Sequence, residues 1–329
     1  PWLSQRRNKK WYRLAAGGAA FYPNLITDLG EELDDSAIYH RTGTLIFKKN
    51  LQLLEKLERI ALKRKTEAPE IGELSILSPE EIREKISFLK TDAPALFASG
   101  GAKVDGSLLT KKLKAAAKHN GALLMNKKVS LEIDPSRKNS YLIKDKTNTK
   151  RFDKVVLAAG AWLPQLLEPL GYDVDIRPQK GQLFKVHLDA ETKNWPVVMP
   201  AGEWDIIPFS KGEVIIGATH ENDQGYDLRP AVEPLEIMFQ GVKKSFPKLD
   251  QIEIAGIRVG TRAYTSDFAP FFGEVPQLPN VYAASGLGAS GLTSGPLIAH
   301  ILVQLITDVT TDLPLEDYPI DRYIKKKTT

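Results

Sequence analysis

The sequence predicts an α/β protein with a second domain built on an antiparallel sheet. An apolar run at 154–158 leads through Ala159 and Gly160 into a helical pattern that starts at Trp162 and Pro164. A second apolar run at 281–285 leads through a loop of glycine, serine and alanine into a helix over 292–306. Short alternating runs near 182–188, 205–208 and 213–218 lie between them, separated by Pro/Gly turns as antiparallel strands are. A chain of 329 residues is long enough for two cores.

In chain order, residues 2–15 (WLSQRRNKKWYRLA) read as helix, and the alternation in 39–48 (YHRTGTLIFK) predicts a strand pair. Residues 51–65 have helical periodicity with paired charges. The stretch 77–86 (LSPEEIREKI) predicts a helix with Ser78 as N-cap, Pro79 at its first position and acidic residues in its first turn. Asp105 or Ser107 caps a helix over 108–119 that ends at Asn120 and Gly121. Short strands are expected near 122–129 and 141–144. The run at 154–158, apolar after Lys154, reads as a strand buried on both faces. A helix over 234–246 precedes the closing strands.

Composition excludes several classes. Hydrophobic content of 42% and charged content of 26% are ordinary for a soluble globular protein. The balance of 45 basic against 41 acidic residues gives only +4. The runs at 6–10, 111–114 and 325–327 read as solvated faces or a tail, which argues against a nucleic-acid partner. No cysteine is present, so disulfides and thiolate metal sites are excluded, and the five histidines lack metal-ligand spacing. The longest apolar candidate, 297–306, is short and interrupted by His300 and Gln304, so no membrane span is expected. With no signal peptide in view, a cytoplasmic protein is the expectation; a homo-oligomer is compatible with all of this.

The most informative stretch is 257–291, IRVGTRAYTSDFAPFFGEVPQLPNVYAASGLGASG. A glycine loop opening a helix can lay an electron-rich group against backbone N–H groups. An arginine nearby can hold a carboxylate in a planar fork. Together they suggest a redox cofactor beside an anchored small acid. Each feature also has a plainer explanation: a tight strand–helix turn for the loop, an ion pair with Asp267 for Arg262. Alternation would put Arg258 on the same face as Arg262.

GTRAYTSDFAPFFG and SGLGASGLTSGP resemble the closing segment of the D-amino-acid oxidase / glycine oxidase / sarcosine oxidase family of flavoproteins. Upstream, VVLAAGAWLPQLLEPLG followed by IRPQKGQLF resembles that family's middle signature. The likeness runs from about Tyr39 to the last helix. It implies a Rossmann-like FAD-binding domain in pieces 1–38, 104–170 and 256–329, and a substrate domain in 39–103 and 171–255. The family opens with a strand, a GxGxxG turn and a helix. This sequence starts at Pro1 in what looks like the helix after that unit, so the N-terminal βαβ is expected to be missing.

The resemblance implies flavin contacts from Val129, Ala159, Gly160, Gly286, Leu287, Gly288, Ala289, Ser290, Gly291, Leu292 and Thr293. It makes Arg262 the carboxylate anchor and puts Trp204, Asp205 and His220 on the substrate wall. Without a cysteine for attachment, FAD is expected to be held non-covalently. The implied reaction is oxidation of a C–N bond in a small amino acid or N-substituted glycine. Hydride passes to the flavin, the imine hydrolyses, and no dedicated catalytic base is required. Oxygen and a quinone are both open as electron acceptor. Two other readings stand beside this one: trimming a carboxymethylaminomethyl group from a tRNA wobble base, and a non-catalytic body unable to hold FAD.

Overall fold

The computed structural model describes residues 1–33, 36–202, 204–244 and 253–327. Among them the strands form an eight-stranded sheet, two three-stranded sheets and two two-stranded pairs. The chain divides into two units, the first comprising 1–5, 26–109 and 180–260, the second 6–25, 110–179 and 261–329.

The first unit is built on the large sheet. Its ladder from Arg177–His187 through Glu213–Gly217, Asp205–Pro208, Val197–Met199, Thr44–Ile46 and Ala95–Ala98 to Leu74–Leu77 is antiparallel except at one step. Val197–Met199 runs parallel to Thr44–Ile46. Alternate residues Phe184 and Val186, Val214 and Ile216 point into one core, as a period of two requires. Helix Val232–Lys243 covers them with Leu235, Met238 and Val242, spaced at helical intervals. Helix Leu51–Lys65 buries Leu54, Leu57 and Ala61 beside Ile46 and Leu96. Ser78 caps helix Pro79–Lys85, as its sequence predicts, and the structure adds a reciprocal bond from Glu81 that completes a capping box.

The second unit holds the strand-to-helix turns. Phe271–Glu274 and Val281–Ser285 form an antiparallel hairpin, and Val155–Leu157 lies parallel to the second strand, with Ala283 opposite Leu157. Both faces of the hairpin are buried. Phe271, Val281 and Ala283 pack with Leu163, Leu167 and Tyr172, while Phe272 and Tyr282 pack with Leu14, Leu297 and Ile301. That sandwich fixes where the last helix, Gly291–Ile306, begins.

Several expectations need correcting. Residues 122–129 form no strand, and Leu123 is 72% exposed. A strand exists only as part of a ladder, and apolar content alone does not supply a partner. Strand Val155–Leu157 lies at the edge of its sheet with Val156 45% exposed, so it is not buried on both faces. Tyr39–His40 and Thr44–Ile46 do not pair with each other. Gly43, at φ 82° with its N–H on the Gly101 carbonyl, diverts the chain so that the first pairs with Lys103–Val104 and the second with Ala95–Ala98. The first helix starts at Lys9, after Asn8 accepts the Trp11 N–H. The stretch Gly288–Ile306 is also long and apolar enough, by length and composition, to cross a membrane. The helix continues back through small residues that the sequence reading left out. Here it places Leu297, Ile298, Ile301 and Leu302 in a core with Phe272 and Tyr318.

Candidate active site

The glycine loop of the second unit follows strand Val281–Ser285. Its shape is set by what surrounds it. Gly286 has φ 75° and Gly288 φ 52°, both in the left-handed region that glycine tolerates. A Cβ on Gly286 would meet the Ala269 carbonyl oxygen at 2.9 Å, and one on Gly288 would meet the Tyr264 ring at 2.2 Å. The Tyr264 hydroxyl oxygen accepts the Ala289 N–H at 3.1 Å, and the Ser290 N–H is given to the Leu287 carbonyl. Leu292 and Thr293 lie in the first turn of the last helix, Leu292 exposed. The positive end of that helix dipole is therefore directed at the loop.

Ala159 and Gly160 follow the neighbouring parallel strand Val155–Leu157 and open the turn into the next helix. The Ser285 hydroxyl donates to the Gly160 carbonyl at 3.0 Å, tying the two strand ends together. Nothing lies within 4 Å of where a Cβ on Gly160 would sit. Open space beside the carboxyl ends of parallel strands is where open α/β sheets take ligands. Val129, in the same unit, is exposed and outside any strand.

Arg262 is half-buried on strand Ile254–Tyr264 and donates from Nη1 to Gln179 Oε1 at 3.3 Å; Arg258 is exposed. Asp267 is engaged by the Arg322 guanidinium at 2.7 Å and by the Tyr323 hydroxyl at 3.1 Å. Burial first, and the Asp267 carboxylate second, push the Tyr323 phenol up to about 12.

The remaining candidates lie in the first unit. Trp204 packs over helix Val232–Lys243, and a Cβ on Gly241 would touch its ring at 2.1 Å. Its environment is therefore the core that includes Met238 and Val242. His220 is exposed in a loop that backbone bonds hold on both sides, Thr219 to Gln182 and Glu221 to Lys180. Asp205 begins its strand opposite Gly217, and burial pushes its carboxyl up to about 6. The folded state thus binds its proton more tightly than the unfolded chain does, from the ordinary 3.8 up to about 6. This favours folding below that window and is lost as pH rises through it. Asp205→Asn is therefore expected to raise the melting temperature at pH 7.5 and to change it little at pH 3.5, as read by thermal denaturation.

Three participants escaped the sequence reading: Tyr264, Gln179 and Gly18. Gly18 alone left a signal, because adjacent glycines inside a helical run weaken the helix and require a packing reason. A Cβ on Gly18 would meet the Thr293 carbonyl oxygen at 2.4 Å, so the first helix sits directly against the start of the last. Among the described residues no cluster of metal-ligating side chains occurs.

A family model described as FAD dependent oxidoreductase, DAO, matches residues 1–305. The chain is 38% identical over 322 residues to the uncharacterized oxidoreductase YurR of Bacillus subtilis, covering 97% of this chain and 86% of that protein. It is 31% identical over 159 residues to a glycine oxidase of Pseudomonas aeruginosa, covering 48% of this chain and 42% of that protein. Among solved structures, iminodiacetate oxidase from Chelativorans sp. BNC1 superposes with a TM-score of 0.91 at 32% identity, covering 97% of this chain and 86% of that one.

Proposed function

Because the chain belongs to the DAO family of FAD-dependent oxidoreductases, we propose that it oxidises the C–N bond of a small amine bearing a carboxylate, an N-substituted glycine above all. The observation that carries this reading is the single strand Ile254–Tyr264. It bears Arg262, suited to a carboxylate, two residues before Tyr264, whose hydroxyl engages the glycine loop. The likeness to iminodiacetate oxidase supports a secondary amine with a carboxylate.

The open space at Gly160 suits a planar ring lying close to backbone, while Gly286 and Gly288 let Ala269 and Tyr264 press on the loop from the protein side. We assign the flavin to the second unit, where Gly160, Ala159, Val129 and the loop from Gly286 to Thr293 would hold it without a covalent bond. The first unit is assigned to the substrate side, with Asp205 and His220 as its candidates and Trp204 as the residue that packs helix Val232–Lys243. Bound FAD supplies the acceptor for the two electrons leaving the substrate. Arg262 neutralises the carboxylate and fixes the direction of the adjacent C–H bond, which converts binding into orientation. The dipole of the last helix favours negative charge placed at the loop, with about half a unit of positive charge at its N-terminus.

Oxidation of an N-substituted glycine to the imine and hydrolysis would give glyoxylate and the amine. The test is to incubate the FAD-loaded protein with iminodiacetate, sarcosine, glycine and an amine lacking a carboxylate. Glyoxylate from the carboxylate-bearing compounds, and no turnover of the plain amine, is the expected result. Equal turnover of the plain amine would refute the carboxylate requirement.

A further inference from the structure

We propose that Tyr264 is the positioning residue of the glycine loop, setting its shape and deciding which of its N–H groups a ligand can use. The proposal rests on the reading that this loop faces the flavin. Tyr264 ends strand Ile254–Tyr264 and is only 8% exposed. Its oxygen accepts the Ala289 N–H, and its ring fills the space a side chain on Gly288 would take. One residue thus holds the loop by a polar bond and by contact.

The chain beyond Tyr264 braces this arrangement. The Thr265 hydroxyl, 2% exposed as a residue, donates to the Ala269 carbonyl at 2.8 Å and accepts the Ala269 N–H at 2.9 Å. The same Ala269 carbonyl is what a Cβ on Gly286 would strike. The tight turn holds Phe268 at φ 59°, a conformation bulky residues rarely adopt. Its ring meets the Tyr264 ring edge-on, with centroids 5.2 Å apart. Strain of this kind persists only where surrounding contacts over-determine it. The turn at 265–269 therefore acts as a shelf beneath the loop, with Tyr264 as its point of attachment.

One consequence concerns chemistry. The N–H groups of Ala289 and Ser290 are both given to protein acceptors, so a ligand that meets the loop uses its other N–H groups, those of the helix start at Gly291 to Thr293 among them. A phenol can both accept and donate, so Tyr264 keeps its own O–H proton while it holds the loop.

A purely space-filling tyrosine would be replaced by phenylalanine without effect, and this separates the two roles. Tyr264→Phe keeps the ring and removes the acceptor. In the protein without added flavin, amide exchange in the segment 286–291 is expected to quicken by about fivefold to tenfold in the variant, the size of one hydrogen bond. Exchange in strand Val281–Ser285 should stay as in the wild type. The FAD dissociation constant should rise by a similar factor, with an altered visible spectrum of the bound flavin. Unchanged exchange at 286–291, or faster exchange throughout the sheet, would overturn the proposal. Failure of the wild type to bind FAD would sink the functional reading instead, and the exchange measurement would still decide the role of Tyr264.

Discussion

Arg262→Ala is expected to lower kcat/KM for an N-substituted glycine by about 100- to 1,000-fold. A carboxylate held by a charged fork is worth about 1.5–3 kcal/mol per hydrogen bond, and stranding one partner of a buried ion pair costs about 3–5 kcal/mol. Arg262 is half-buried, which places the loss below the upper end. At about 1.4 kcal/mol per tenfold, 3–4 kcal/mol gives the stated range. Arg262→Lys keeps the charge and loses the fork, so an intermediate loss dominated by KM is expected. Steady-state kinetics at constant flavin content check both. If the alanine variant keeps its kcat/KM, Arg262 does not hold the substrate.

Gly18→Ala is expected to destabilise the protein by about 1 kcal/mol net of its propensity gain. On local propensity alone the change should stabilise a helix interior by about 0.5–1 kcal/mol. The tertiary contact opposes it, because the added methyl would sit 2.4 Å from the Thr293 carbonyl oxygen and 2.9 Å from the Ser294 Cα. Backbone atoms cannot turn aside as a flexible side chain can, so the helices must shift, at an overpacking cost of about 1–3 kcal/mol. The Tyr22 hydroxyl, which donates to the Leu292 carbonyl at 2.5 Å, would be displaced with them. Gly291→Ala is the control. It lies at the start of the last helix, and its would-be Cβ meets only the Leu287 Cβ at an ordinary 3.8 Å, so the propensity gain is unopposed. Urea denaturation should move the two midpoints in opposite directions. A gain from both would show that the first helix does not press on the last.

What could be read from the sequence followed from local chemistry. The Ser78 cap, the ends of helix Leu51–Lys65 and the passage from strand Val281–Ser285 into a helix depend on residues a few positions apart. Misreadings came where the partner is remote. Nothing near Thr44 announces that its neighbours are Ala98 and Val197. Nothing in 122–129 reveals that Leu123, Leu124 and Met125 stand exposed. The candidate site divides the same way. The glycines of the loop are visible as glycines, but the reason for Gly288 is a ring 24 residues earlier, at Tyr264. Trp204 looks the same in sequence whether it faces a substrate or packs on Gly241, and only the helix beneath it distinguishes the two.

The most direct test of the account is the visible spectrum of the FAD-loaded protein mixed with iminodiacetate in the absence of oxygen. The oxidised flavin bands are expected to bleach in the wild type, and Arg262→Ala to need far more substrate to reach the same rate. Bands that stay unchanged in a protein carrying its full complement of FAD, across iminodiacetate, sarcosine and glycine, would contradict it.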